Sequence, residues 1–218
     1  IAELVRGLAE WRVWLPLTIT EGWNIGVGSL PIILLVAGFA GAVTALQTGY
    51  QFSGNIPLYV AGSLIVESVV LELGPVLTGL ILAGRIGARY AAELGTMRVT
   101  EQIDALETLG RSPASHLVIP RVLAGIIMIP VLTIIANITG VISGWVAVQQ
   151  VLPVTNTDFA YGARFFWHPF DATYSVIKGF AFAICITVIS CYYGFSTEQG
   201  AEGVGKSTTG AVVSSCVM

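Results

Sequence analysis

Charge is what this chain has least of. Asp, Glu, Lys and Arg make up 11% of its 218 residues, against 55% apolar residues. An ordinary soluble domain is about 25% charged, and a mean hydropathy of +0.81 points the same way. A water-facing surface cannot be built from so few charges, which excludes a soluble globular enzyme. Basic residues are also too few for nucleic acid: the net charge is −3, and phosphate binding needs clustered Lys and Arg. Cysteine is scarce. Cys185, Cys191 and Cys216 form no CxxC pattern and have no His nearby, so they read as buried thiols rather than as metal ligands. Histidine is scarcer, with His116 and His168 expected on opposite sides of a membrane. No His, Asp or Ser cluster supports a membrane-embedded enzyme, so no catalytic residue, no metal site and no cofactor of this chain's own is expected. The chain starts at Ile1 without Met and stops in an apolar run, as a piece trimmed at both ends would.

The missing charge has a pattern. No Asp, Glu, Lys, Arg or His occurs from Gly22 to Val66, from Val122 to Thr157, or from Gly179 to Thr197. A soluble core of this size cannot bury runs of that length, and helices are the usual way across a bilayer. The expectation is an all-α polytopic membrane protein forming a single domain over residues 1–218. Residues 1–21 form an amphipathic segment lying on the membrane surface, with Trp11 and Trp14 at the interface. Spans follow at about 29–50, 58–84, 118–149 and 174–195, and a fifth, cut short, at 208–218. A charged segment occupies 85–117, and 150–173 form an outer connection. Arg85, Arg89, Arg98, Arg111 and Arg121 are half of the ten basic residues. The opposite connections hold only Arg164. The Lys/Arg bias therefore puts the N-terminus, 85–117 and the turn 196–207 on the cytoplasmic side.

Small residues recur within the spans, at Ala37 and Gly41, at Gly140 and Gly144, and at Gly79, Gly84 and Gly87. They allow close helix approach, within one chain or between copies. Gly200 to Ser207 matches the phosphate-loop pattern GxxxxGK[ST], but that chemistry needs a buried strand feeding the loop. Here the residues before it are a membrane span, and Glu202 stands where a triphosphate would sit. Nucleotide binding by this segment is therefore rejected in favour of a turn at the membrane face.

Two carboxylates fall inside the second span. Glu67 lies near its outer edge. Glu72 is 13 residues from Arg85, roughly 20 Å deep at 1.5 Å per residue, where an ionisable group is costly. It directly precedes Leu73-Gly74-Pro75, where a kink or break is expected. Three roles stay open for Glu72: lining a polar cavity, capping exposed backbone, or relaying protons. In the charged segment, Thr100 to Gly110 reads as a short amphipathic helix, with Thr100 as N-cap and Gly110 as its stop. Ile103, Leu106 and Leu109 share one side. That side either lies against the spans or faces a soluble partner.

Five motifs occur in order: Glu72-Leu-Gly-Pro75, Ala83-Gly-Arg-Ile-Gly87, Ala92-Glu-Leu-Gly-Thr-Met97, Glu101-Gln-Ile-Asp-Ala-Leu106 and Pro120-Arg-Val-Leu-Ala124. Together with Gly200 to Gly205 and Ala211 to Ser215 they closely resemble the MlaE/YrbE permease family, the membrane subunits of MCE-associated ABC lipid transporters. The resemblance covers residues 30–218. Lys206 is a departure, since an Arg is commoner there.

The resemblance implies a homodimeric permease in the bacterial inner membrane, moving phospholipid in support of outer-membrane lipid asymmetry. It implies cytoplasmic ABC ATPase subunits that carry the ATP and magnesium, and a periplasmic MCE-domain protein. The segment Glu93 to Leu109 would be the coupling element. Glu93 would be one of its coupling residues; Glu101, Asp104 and Glu107 would make polar contacts to the ATPase, with Ile103 and Leu106 filling its groove. A lipid cavity would lie near Glu72 and Leu77. The competing reading is an ion-coupled secondary transporter or channel using Glu72.

Overall fold

A computed structural model of the chain describes residues 11–51, 57–110, 112–198 and 200–218. Seven helices and no strand are found among the described residues. They are α1 Trp11–Gln51, α2 Val60–Val99, α3 Gln102–Thr108, α4 Ala114–Val151, α5 Asn156–Phe165, α6 Pro169–Phe195 and α7 Ala201–Val217. By length and composition α1, α2, α4 and α6 can each cross a bilayer. The chain is the all-α polytopic membrane protein that its charge-free runs require.

The helices run longer than the apolar runs that identify them. Instead of an interfacial segment ending near residue 21 and a span from 29, residues 11–51 form one uninterrupted helix. Residues 1–10 and 52–56 lie outside the described residues. A break at 22–28 would leave backbone N–H and C=O groups unpaired in an uncharged stretch. The second span likewise continues past residue 84 to Val99. The Gly74-Pro75 step does not break it. Ser68–Leu73 form a π-helical turn, closed by the Gly74 N–H donating to the Val69 carbonyl. A second π turn covers Ala83–Gly87. The remaining spans begin and end within a few residues of expectation, and α7 starts at Ala201 rather than near Thr208.

The chain divides into two compact units. The first contains the described residues of Ile1–Ser29 with Gly79–Ile129 and Phe180–Met218; the second contains Leu30–Thr78 with Pro130–Gly179. In the second unit, Ala45, Ala61, Ile65, Val69, Val148, Val154 and Phe159 form the core. There α1 and α4 touch through the small residues singled out above. A Cβ on Gly41 would collide with the Gly140 carbonyl, and one on Gly144 would lie 3.2 Å from the Gly41 carbonyl. Ser143 Oγ donates to the Gly38 carbonyl at 2.6 Å. These small-residue pairs are used inside one chain. The connection 150–173 holds a helix, α5, started by a capping box in which Thr155 and Asp158 satisfy each other's backbone amides.

In the first unit, Tyr90, Leu94, Ile129, Ile186 and Ala211 are fully enclosed or nearly so. Cys191 is buried and Cys185 half-buried, but Cys216 is exposed near the end of α7, so the reading of three buried thiols is wrong for Cys216.

Candidate functional site

The second unit holds the one carboxylate that the sequence places deep in a span. Glu72 sits on the π turn of α2, and Lys178 of α6 donates to its Oε1 at 2.9 Å. Lys178 Nζ also donates to the Leu71 carbonyl at 2.8 Å and stands 4.7 Å from the centre of the Tyr174 ring. The Leu71 contact has a cause in the sequence. An α-helix would pair that carbonyl with the N–H of residue 75, which is a proline and has none. Lys178 supplies the missing donor. Proline, carboxylate and lysine therefore form one arrangement: Pro75 frees a carbonyl, and Lys178 bridges it to Glu72. Counted along the helices, Glu72 is roughly 18 Å from Val60 and Lys178 roughly 13 Å from Pro169, so both charges belong to the interior of their spans.

Glu72 also borders a cavity of ≈ 350 Å³ lined by Thr44, Gln47, Thr48, Gln51, Leu64, Ser68 and Leu73. Its side chain is 66% exposed. Of the three roles left open for Glu72, cavity lining is visible; the exposed backbone is mended by Lys178, which Glu72 holds. Leu77 is half-buried and does not line this cavity; Glu67 is half-buried. Lys178 was missed by sequence reasoning, although it lies inside the expected span 174–195 and was the natural partner for a lone intramembrane acid.

The second candidate region is α3 in the first unit. Its stop is as expected, with Gly110 in the left-handed conformation at φ +71°. Its start is not: Glu101 is the N-cap, at φ +59°, because the Thr100 hydroxyl donates back to the Thr96 carbonyl of α2 at 2.8 Å. Glu101, Asp104 and Glu107 are exposed, and Leu106 is half-buried. Arg98 donates to Asp104 at 2.5 Å. Ile103, expected to fill a partner's groove, is 2% exposed and packs within its own chain, while Leu109 is 75% exposed. Glu93 is also turned inward. It accepts from Arg89 Nε at 2.6 Å and from Arg121 Nη2 at 3.1 Å. Ile103 is covered within the chain, and the Glu93 carboxylate, 33% exposed, has both oxygens taken by arginines. Arg111 lies outside the described residues.

The phosphate-loop lookalike is helical from Ala201 onward, with the Val204 N–H donating to the Gly200 carbonyl. Its amides close a helix instead of converging on an anion. The turn expected over 196–207 is correspondingly shorter.

Four apolar helices long enough to cross a bilayer, an ion pair that borders a polar cavity and a short acidic helix joining two of the spans describe a multi-pass membrane protein. The family model for permease MlaE matches residues 18–218. A probable ABC transporter permease protein of Rickettsia prowazekii (strain Madrid E) is 43% identical over 206 residues, which is 94% of this chain and 80% of the relative. One from Synechocystis sp. is 39% identical over 191 residues, 88% of this chain and 73% of the relative. The protein TRIGALACTOSYLDIACYLGLYCEROL 1, chloroplastic, of Arabidopsis thaliana is 35% identical over 217 residues, 100% of this chain and 61% of the relative. The chain belongs to the MlaE permease family, and is a permease subunit.

Proposed function

We propose that this permease moves phospholipid between the bacterial inner membrane and a periplasmic MCE-domain carrier, working as a homodimer. Separate cytoplasmic ABC ATPase subunits bind ATP and magnesium and do the hydrolysis; this chain does none. The observation that carries the reading is the Glu72–Lys178 pair beside a polar cavity, on helices whose other exposed faces are apolar. A lipid has the matching division: a charged, hydrogen-bonding headgroup for Glu72, Lys178, Gln47 and Gln51, and acyl chains for the apolar surroundings, Leu64 and Leu73 among them. Exposed to lipid alone, Glu72 and the two glutamines would be costly. A second copy enclosing a wet cavity removes that cost, which is the support for the dimer.

The Lys/Arg distribution supports a cytoplasmic N-terminus and a cytoplasmic α3. There Glu101, Asp104 and Glu107 offer an acidic face to the ATPase, with Leu106 and the exposed Leu109 as its apolar contact. The test is purification of the tagged permease from its native membrane. An ATPase and an MCE-domain protein should accompany it, and phospholipid should be found in the extracted complex. Asp104→Arg with Glu107→Arg should reduce the ATPase recovered by about tenfold or more, as like charges face one another, without lowering the yield of folded permease. Full ATPase occupancy in that variant defeats the docking assignment. Transport that persists without any ATPase and is abolished by Glu72→Gln replaces the proposal with ion coupling.

A further inference from the structure

The geometry points to an ion-pair lock between the helices flanking α3, which makes Glu93 and Arg121 positioning residues for transport and not contacts to a partner. The lock rests on α3 being the ATPase-docking helix proposed above. Arg121 of α4 is buried, its side chain 8% exposed. Its Nη2 donates to Glu93 Oε2 at 3.1 Å and its Nη1 to the Leu117 carbonyl at 2.9 Å. Its guanidinium carbon stands 5.4 Å from the centre of the Tyr90 ring. The other oxygen of Glu93 accepts a hydrogen bond from Arg89 Nε at 2.6 Å, and Arg89 Nη2 lies 3.8 Å from Glu21 Oε2. Two acids and two bases thus form one row across α1, α2 and α4, with no net charge.

Stability alone does not account for this row. Desolvating a buried pair commonly offsets its attraction, and a well-packed apolar pair would hold the helices as firmly. What an arginine–carboxylate pair adds is direction: charge-assisted bonds in a fixed fork set the register of one helix against another. Register matters here because α3 has only seven residues. It is tied to α2 by residues 100–101 and to α4 by 109–113. A displacement of α3 pulls on both helices, and the Glu93–Arg121 joint makes their ends respond as one body.

The experiment uses the permease–ATPase complex in vesicles of phosphatidylethanolamine and phosphatidylglycerol, with a nitrobenzoxadiazole-labelled phosphatidylethanolamine as the moving probe. The double variant Glu93→Leu/Arg121→Met removes the pair without leaving an orphan charge. It should keep its thermal midpoint, its bound ATPase and its ATP hydrolysis, while the probe moved per ATP falls about tenfold, within the usual range of coupling between sites. Arg121→Lys keeps the charge and loses the fork, so it should fold and lose severalfold in the same ratio. That variant tests the lock should the double variant fail to fold. Wild-type probe movement per ATP in either folded variant overturns the lock. Loss of the ATPase from the double variant also overturns it, by making Glu93 or Arg121 a direct contact. A wild-type complex without any ATPase overturns the docking assignment itself.

Discussion

Replacing Lys178 by Met measures how wet the cavity is. Met keeps the unbranched stem, so packing changes little and the loss falls on the ammonium group. Three contacts disappear: the bond to the Leu71 carbonyl, the pair with Glu72 and the position over the Tyr174 ring. Orphaning the carbonyl that Pro75 cannot serve costs about 1–3 kcal/mol. The cation–π contact adds about 0.5–1 kcal/mol. The ion pair is the deciding quantity. With the Glu72 side chain 66% exposed to water, the pair contributes no more than about 1 kcal/mol, and the total is about 1.5–5 kcal/mol. With the same face covered by lipid or protein, an unpaired carboxylate alone costs about 3–5 kcal/mol.

The assay is a double-mutant cycle of Lys178→Met and Glu72→Gln, read by reversible unfolding of the reconstituted protein in mixed micelles. A water-filled cavity predicts a coupling energy below about 1 kcal/mol between the two sites, with Lys178→Met still destabilising on its own through Leu71. If Lys178→Met shifts stability by less than about 0.5 kcal/mol, the link from Pro75 to Lys178 is refuted. A coupling of about 3 kcal/mol or more refutes the wet cavity.

Two further outcomes follow from close approaches. Gly41→Val should destabilise by about 2–4 kcal/mol, because the new Cβ meets the Gly140 carbonyl and the helices must part, straining the Ser143–Gly38 bond as well; an unchanged midpoint in thermal unfolding would remove that contact from the fold. Gly205→Ala should be neutral or stabilise by up to about 1 kcal/mol, since nothing lies within 4 Å of the added methyl and alanine favours helix over glycine. The same variant, and Lys206→Ala, should leave transport unchanged, whereas a working phosphate loop would lose nucleotide binding in both, as measured with a fluorescent ATP analogue.

How far the structure was legible depends on the range of the interaction. The spans were visible because an absent charge needs no partner to be informative. Their ends were less so: α2 continues through Arg85, Arg89 and Glu93 because Arg89 and Glu93, one turn apart, neutralise each other along the helix. Gly74-Pro75 announced a distortion, and only the surrounding packing decided on a π turn instead of a break. The helix α5 was overlooked although Thr155 and Asp158 stand at capping-box spacing before it. Periodicity found an apolar side on α3 and could not tell that Ile103 is covered and Leu109 is not. The Glu72–Lys178 pair joins residues 106 apart in sequence; each charge was anomalous in its own span, and the fold alone brings them together. Glu93, a coupling residue by resemblance, has both carboxylate oxygens taken by arginines, one of them 28 residues away and beyond the reach of local pattern.

The end of α1 carries the most direct argument for an amphiphile over a simple ion. Leu35, Phe39, Val43, Leu46 and Tyr50 are exposed on it, recurring every three or four residues as one stripe. Thr44, Gln47, Thr48 and Gln51 line the cavity that Glu72 borders. At 100° per residue the centres of the two stripes are about 120° apart on the same helix. An ion pathway needs a polar lining that continues along the helix, and between Ser29 and Thr44 this helix offers none: Leu30 to Val43 contains no polar side chain. The polar surface is short and ends against an apolar one. A solute that leaves water entirely would be stranded at that border, whereas the headgroup of the proposed phospholipid substrate would stay in the polar patch while its chains follow the apolar stripe.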